Sequence, residues 1–139
     1  MPETKAANYC FGCGESNAGG MRLAFARDDE RRRIHASLRI SSTYQGGLGM
    51  VHGGIIALIL DEAMGKVCRF RDVRAVTASL AVEFKKPVPV EEEILVEAFE
   101  ESADGRNLHI IGEIRRPSGE LLARGKARFV AIDPSTYRV

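Results

Sequence analysis

Apolar and polar residues alternate cleanly from Ile34 to Ile40, with Ile34, Ala36, Leu38 and Ile40 on one face and Arg33, His35, Ser37 and Arg39 on the other. A period of two marks a half-buried strand. A shorter run, Met21 to Arg27, pairs with it across the polar turn Asp28-Asp29-Glu30 to make an opening hairpin. After a loop holding Gly46, Gly47 and Gly49, the pattern changes to one helix from about Gly53 to Phe70. Alternation returns at Ala75 to Phe84, with Val76, Ala78, Leu80, Val82 and Phe84 set against Thr77, Ser79 and Glu83, until Pro87 and Pro89 end it. Ile94 to Glu101, Asn107 to Arg116 and Glu120 to Ile132 follow as strands, separated by Asp104-Gly105 and Pro117-Ser118-Gly119. Two strands, a long helix and four strands predict an α+β fold with the helix on one face of an antiparallel sheet. Such a sheet has edges to cover, and pairing two sheets edge to edge predicts a homodimer.

The helix raises the first chemical question. Ile55-Ile56-Ala57-Leu58-Ile59-Leu60 puts apolar side chains nearly all round its first two turns, which reads as a buried helix, yet Asp61 and Glu62 follow directly. An isolated buried carboxylate loses several kcal/mol of hydration unless it is paired or has a task. Steps of three or four from Asp61 reach Gly54, Ala57, Gly65 and Cys68, all small, so a substrate or a partner helix can come close beside it. Glu62 lies about 100° further round. The structural alternative is an ordinary buried pair, such as Glu62 with Lys66 one turn on. At the helix start, Gly53 and Gly54 offer unencumbered N–H groups on the positive end of the dipole, a place for an oxygen that becomes negative. His52 orients that loop or the substrate oxygen, or simply caps the helix. A carboxylate and an oxyanion donor together are what thioester hydrolysis needs.

Composition narrows the field. The 139 residues, 45% apolar and 28% charged, fit one domain, taken as 1–139 with 1–20 as an N-terminal extension. Twenty basic and 19 acidic residues leave a net charge of +1, so no global field argues for nucleic acid or a membrane surface. No secretory leader or spanning segment is read, and the expectation is cytoplasmic. Cys10, Cys13 and Cys68 are an odd set that suits a reducing compartment. The CxxC of Cys10 and Cys13 lacks the further ligands of a closed zinc site, and a small-residue turn with Phe11, Gly12 and Gly14 is expected, with no metal.

The stretch Gln45-Gly46-Gly47-Leu48-Gly49-Met50-Val51-His52-Gly53-Gly54, with Asp61-Glu62-Ala63-Met64-Gly65, resembles the hotdog-fold acyl-CoA thioesterases of the phenylacetate-pathway type. The resemblance implies a long central helix wrapped by an antiparallel sheet. It makes Asp61, nine residues after the HGG histidine, the nucleophile or general base, and Gly53 N–H the oxyanion donor beside His52. The strand Val76 to Pro87 resembles the mammalian mitochondrial members, whose hydroxyl residue matches Thr77; the resemblance implies that this hydroxyl comes from the opposite subunit, with Ser79 as the substitute on the same face. Cys10-Phe11-Gly12-Cys13-Gly14 with Asn17 and Gly20-Met21-Arg22-Leu23 is similar to the opening of a subgroup. Several relatives place Asn or Gln six residues before the histidine, where this chain has Gly46 and the polar candidate is Gln45, one position off.

Acyl-CoA as substrate calls for local cations on its phosphates, and Lys85, Lys86 and Arg106 are the candidates, a solvated basic surface being the alternative. Gly54 and Glu62 complete the substrate-binding set. No cofactor is expected beyond the coenzyme A of the substrate, and the assembly implied is a homodimer, or a dimer of dimers, with composite sites. The rival readings are a non-catalytic acyl-CoA sensor, a hotdog enoyl-CoA hydratase or dehydratase, and a CxxC metal or redox module.

Overall fold

A computed structural model of the chain describes residues 6–133, so the first five residues of the expected N-terminal extension lie outside it. In chain order the elements are β1 (Ala26–Asp28), β2 (Arg33–Arg39), α1 (Gly53–Val67), β3 (Arg74–Phe84), β4 (Glu93–Asp104), β5 (Asn107–Arg115) and β6 (Leu121–Ile132). The strands form one antiparallel sheet in the order β1-β2-β4-β5-β6-β3, with α1 packed on one face. This is the α+β arrangement the periodicities predict. Among the described residues no helix is long and apolar enough to cross a membrane.

The helix is less uniformly buried than its sequence suggests. Ile56, Ile59, Leu60, Ala63, Met64 and Val67 form the face buried against the sheet, while Ile55, Ala57, Leu58, Asp61, Glu62, Gly65 and Lys66 are half-buried. Burial of each large side chain on the covered face contributes about 1.5–3 kcal/mol. Gly112 on β5 and Gly125 on β6 are cross-strand partners directly beneath Leu60 and Met64. A Cβ on Gly112 would stand 3.0 Å from Met64 Cγ and 3.1 Å from Leu60 Cδ2, so the bare backbone sets how deeply the helix sits. The helix ends at Val67, three residues early, and continues as a single 3-10 turn, Cys68–Arg71, closed by Asp72 at φ 52. Cys68, the first residue of that turn, lies in the core at 3% exposure and opens no space beside Asp61.

Two strand expectations change. Met21 to Phe25 is not the first strand: Met21 N–H and Leu23 N–H donate to Phe11 O and Gly12 O, so this segment pairs with the N-terminal turn and β1 is only Ala26–Asp28. The second change is in β3. Thr77 pairs with Phe129 and Ser79 with Arg128, so Ala78 has no partner and the strand carries a bulge. A bulge inserts one residue and reverses the parity of everything beyond it. Thr77 therefore shares the helix-facing side with Leu80 and Val82, and Ser79 lies on the outer side beside His109, Lys126 and Arg128. Ser79 is removed from the site. β3 is also an edge strand eleven residues long, with Val76 (42%) and Phe84 (56%) exposed on it.

Candidate functional site

The half-buried face of α1 carries the site. Asp61 Oδ1 accepts a 2.7 Å hydrogen bond from Thr77 Oγ1. The bulge absorbs Ala78, so Thr77 and Leu80, three residues apart in sequence, both face the helix. Within this one chain the hydroxyl and the carboxylate already meet, whereas the resemblance implies a hydroxyl from the opposite subunit. A cleft of about 390 Å³ beside the carboxylate is walled by Phe11, Leu58 and Leu80 and floored by Gly54 and Ala57. The small residues on the stripe thus leave the room expected of them.

The helix start is organised by His52. Its Nδ1 accepts from Gly54 N–H at 2.9 Å, an N-cap, and its carbonyl accepts from Ile55 and Ile56. Gly54 N–H is therefore committed within the chain, and His52 acts here as a cap. Among the described residues the Gly53 N–H meets no acceptor, and it points out at an exposed helix terminus. The donor and the acid are eight residues apart on one helix, so about 12 Å separates them along the axis. They cannot both touch one acyl carbon from the same chain.

Glu62 turns to the other flank. Cys10 Sγ donates to Glu62 Oε1 at 3.3 Å, and Gly12 lies so close that a Cβ there would stand 2.5 Å from the Glu62 side chain. The CxxC turn, closed by Gly14 N–H on Cys10 O at 2.8 Å, is thus docked on the helix next to Asp61. Burial, followed by the hydrogen bond and the charge of Glu62, pushes the Cys13 thiol up from its ordinary range; Lys66 opposes this. Cys10, Cys13 and Glu62 place their ligand atoms within 4.8 Å of one another and are the residues that could hold a metal ion. The sequence signals the two cysteines but not the carboxylate, which arrives from another element.

The remaining candidates are dispersed. Gln45 Oε1 accepts from Gly49 N–H at 3.2 Å and braces the glycine loop, away from the Asp61 cleft. Lys85 pairs with Glu83 at 2.5 Å and Lys86 with Glu120 at 2.9 Å. Arg106 Nε donates to Ala131 O, at the Ala75 end of β3 and about 30 Å along the strand from Lys85. The three basic residues do not form one cluster within the chain. Sequence reasoning missed the apolar wall of Phe11, Leu58 and Leu80, for which the spacing of Leu58 and Asp61 on the helix was the available signal.

Residues 48–123 match the thioesterase superfamily. The chain is 34% identical over 106 residues to the acyl-coenzyme A thioesterase THEM4 of Rattus norvegicus, covering 71% of this chain and 46% of that protein. It therefore spans about half the length of the curated relatives it matches. Among solved structures, protein RHA08564, a thioesterase superfamily protein, superposes with a TM-score of 0.78 at 27% identity, covering 84% of this chain and 60% of that one. The BH2602 protein of Bacillus halodurans, crystallised with CoA, gives a TM-score of 0.73 at 24% identity over 86% of this chain and 80% of its own. The fold is thus the hotdog.

Proposed function

The chain belongs to the thioesterase superfamily, and we propose that it hydrolyses the thioester of acyl-CoA to a free acid and coenzyme A. The observation that carries this reading is the Thr77 hydroxyl holding Asp61 at 2.7 Å beside an apolar cleft. Thr77 is a positioning residue that fixes the carboxylate. Asp61 supplies the base that takes a proton from water, or attacks the acyl carbon itself. With Asp61 as base, the water oxygen forms the C–O bond, the carbonyl electrons move onto oxygen, and the C–S bond breaks with its pair on sulfur, which takes the proton that Asp61 removed; with Asp61 as nucleophile, its own oxygen forms the C–O bond and coenzyme A leaves as the thiolate. In that second route one water then cleaves the acylated Asp61, which gives the free acid, restores the carboxylate and supplies the proton for the thiolate. The developing oxyanion rests on a Gly53 N–H.

The 12 Å between Gly53 and Asp61 favours a Gly53 supplied by a second subunit. In a two-fold dimer with its helices antiparallel and crossing near Ala57, Gly53 of each subunit comes opposite Asp61 of the other. Small residues at Gly54 and Ala57 permit the close approach, and the long edge strand β3 is the edge such a dimer would cover. The composite site thus joins Asp61 and Thr77 of one subunit to the oxyanion donor of the next. A cytoplasmic location and the absence of any cofactor beyond the substrate's own coenzyme A belong to the same proposal; the three cysteines are free thiols.

The test is a panel of acyl-CoA thioesters scored for free thiol, with Asp61→Asn and Gly53→Pro made separately and then mixed by co-expression. Asp61→Asn should lower turnover by orders of magnitude while still binding acyl-CoA. A mixed dimer carries one intact composite site, so random mixing should restore roughly a quarter of wild-type activity. Full turnover by folded Asp61→Asn sinks the hydrolase assignment. Mixtures that stay inactive sink the shared site.

A further inference from the structure

Outside the Asp61 cleft, a cavity of about 720 Å³ lies where the N-terminal segment crosses the end of α1 and the start of the sheet. Arg22, Lys66 and Arg69 line it, and none has a carboxylate partner among the described residues. This contrasts with Lys85 and Lys86, which are both paired. Arg27 also borders the cavity but is held by Asp29 and stacks on Phe70 with 4.4 Å to the ring centre. Glu15 is the one acid among the described lining residues.

The helix dipole accounts for Lys66 and Arg69 near the C-terminus of α1, where cations are favoured. It does not account for Arg22, which belongs to another segment and stands at φ 52, a left-handed conformation unfavourable for a residue with a Cβ. That conformation is imposed from both sides. Met21 N–H and Leu23 N–H are each bonded at 2.8 Å to the Phe11-Gly12 backbone, and the Leu23 side chain is buried. Strain of this kind persists where the surroundings over-determine it and is concentrated at functional sites.

The cavity also communicates with the reaction centre. Asn8, Cys13, Lys66 and Arg69 line both it and a second cleft that contains Asp61 and Thr77. The path runs from Asp61 past Gly65 and Lys66 on α1 to Arg69 in the turn that follows it, eight residues or about 12 Å. We propose that Arg22, Lys66 and Arg69 bind the phosphates of the coenzyme A nucleotide while the pantetheine arm lies along this groove towards Asp61. The inference deepens the hydrolase reading and rests on it for the identity of the ligand. The chemistry is general: guanidinium forks take phosphate oxygens bidentately, and a lysine adds a point charge.

Calorimetric binding separates this proposal from catalysis. Coenzyme A, adenosine 3′,5′-bisphosphate and pantetheine are titrated into wild type, Arg22→Gln, Arg69→Gln and the double variant. Wild type should bind coenzyme A at least tenfold more tightly than pantetheine, and the bisphosphate should compete. Each single variant should lose about fivefold in coenzyme A affinity and the double variant most of the discrimination, with pantetheine unaffected and the melting temperature unchanged. In turnover the same variants should raise KM for acyl-CoA and leave kcat within about twofold. A folded double variant that still binds coenzyme A as wild type does, or a wild type that binds coenzyme A no better than pantetheine, overturns the site. If wild type discriminates through these arginines yet releases no thiol, the anion site stands and the hydrolase reading falls.

Discussion

Gly53→Pro isolates a single hydrogen atom. Gly53 is the first residue of α1, where a proline is tolerated because the N–H has no intrahelical partner and φ is already helical. The preceding residue, His52, sits at φ −56 and ψ 136, inside the region a following proline demands. Space is available as well: a Cβ at position 53 would meet only the Phe84 ring, at 3.6 and 3.7 Å, which is ordinary contact. The cap from His52 to Gly54 N–H is untouched. Folding stability should therefore change by no more than about 0.5 kcal/mol, or about 2 °C in Tm. Removal of one oxyanion donor costs about 100- to 1,000-fold in kcat. The terminus is exposed in a single chain, which favours the lower end, about 100-fold. Thiol release from acyl-CoA read with a chromogenic thiol reagent gives kcat and kcat/KM, and both should fall together. Gly53→Ala keeps the N–H and should stay near wild type. A Gly53→Pro protein with unchanged Tm and kcat within about threefold of wild type refutes the oxyanion role of Gly53.

Three further outcomes follow from the geometry. Thr77→Val removes a hydrogen bond to a carboxylate in a half-buried cleft, a loss of about 1.5 kcal/mol or tenfold in kcat, whereas Ser79→Ala on the outer face should be silent; equal effects would refute the bulge as the source of the assignment. Gly112→Ala drives a methyl to 3.0 Å from Met64 and should destabilise by about 1–3 kcal/mol in thermal or urea unfolding, a neutral result showing that the helix has slack over the sheet. Burial raises the Cys68 thiol to about 11, and burial with Glu62 raises Cys13, so the reactive thiolate is depleted at neutral pH and gained as pH rises. At pH 8 the Cys68 thiolate fraction is about one in a thousand. Mass spectrometry of alkylated protein should show both sites lagging a free thiol and accelerating towards pH 10; rapid labelling at pH 7 would contradict this.

Most of the elements were legible because their periods are clean. The alternation of β2 and the apolar face of α1 through Ile56, Leu60 and Met64 each have one physical reading. Asp61 was legible because a carboxylate after six apolar residues demands a reason. Ser79 was misplaced because counting by two assumes a regular ladder, and the unpaired Ala78 is invisible until the strand is set against Phe129 and Arg128. The apolar runs around α1 suggest burial on all sides, yet one chain covers only one side, and the uncovered side holds the candidate site. Lys85, Lys86 and Arg106 carry the right charge in the wrong company, since pairing with Glu83, Glu120 and a carbonyl depends on neighbours far away in sequence. In sequence Arg22 is one residue of the N-terminal stretch, and its left-handed backbone has no signature in composition.

The bulge in β3 gives that strand one residue more than its ladder needs. Were Ala78 absent, Thr77 would still face inward, Ser79 outward and Leu80 inward, so the in-and-out order of every side chain would survive in a plain ladder. What would be lost is the local bend and added twist at the one point where the strand must hand a hydroxyl to the helix. The architecture of the sheet and the aim of that hydroxyl are therefore separately adjustable, and a single inserted amino acid is the adjustment.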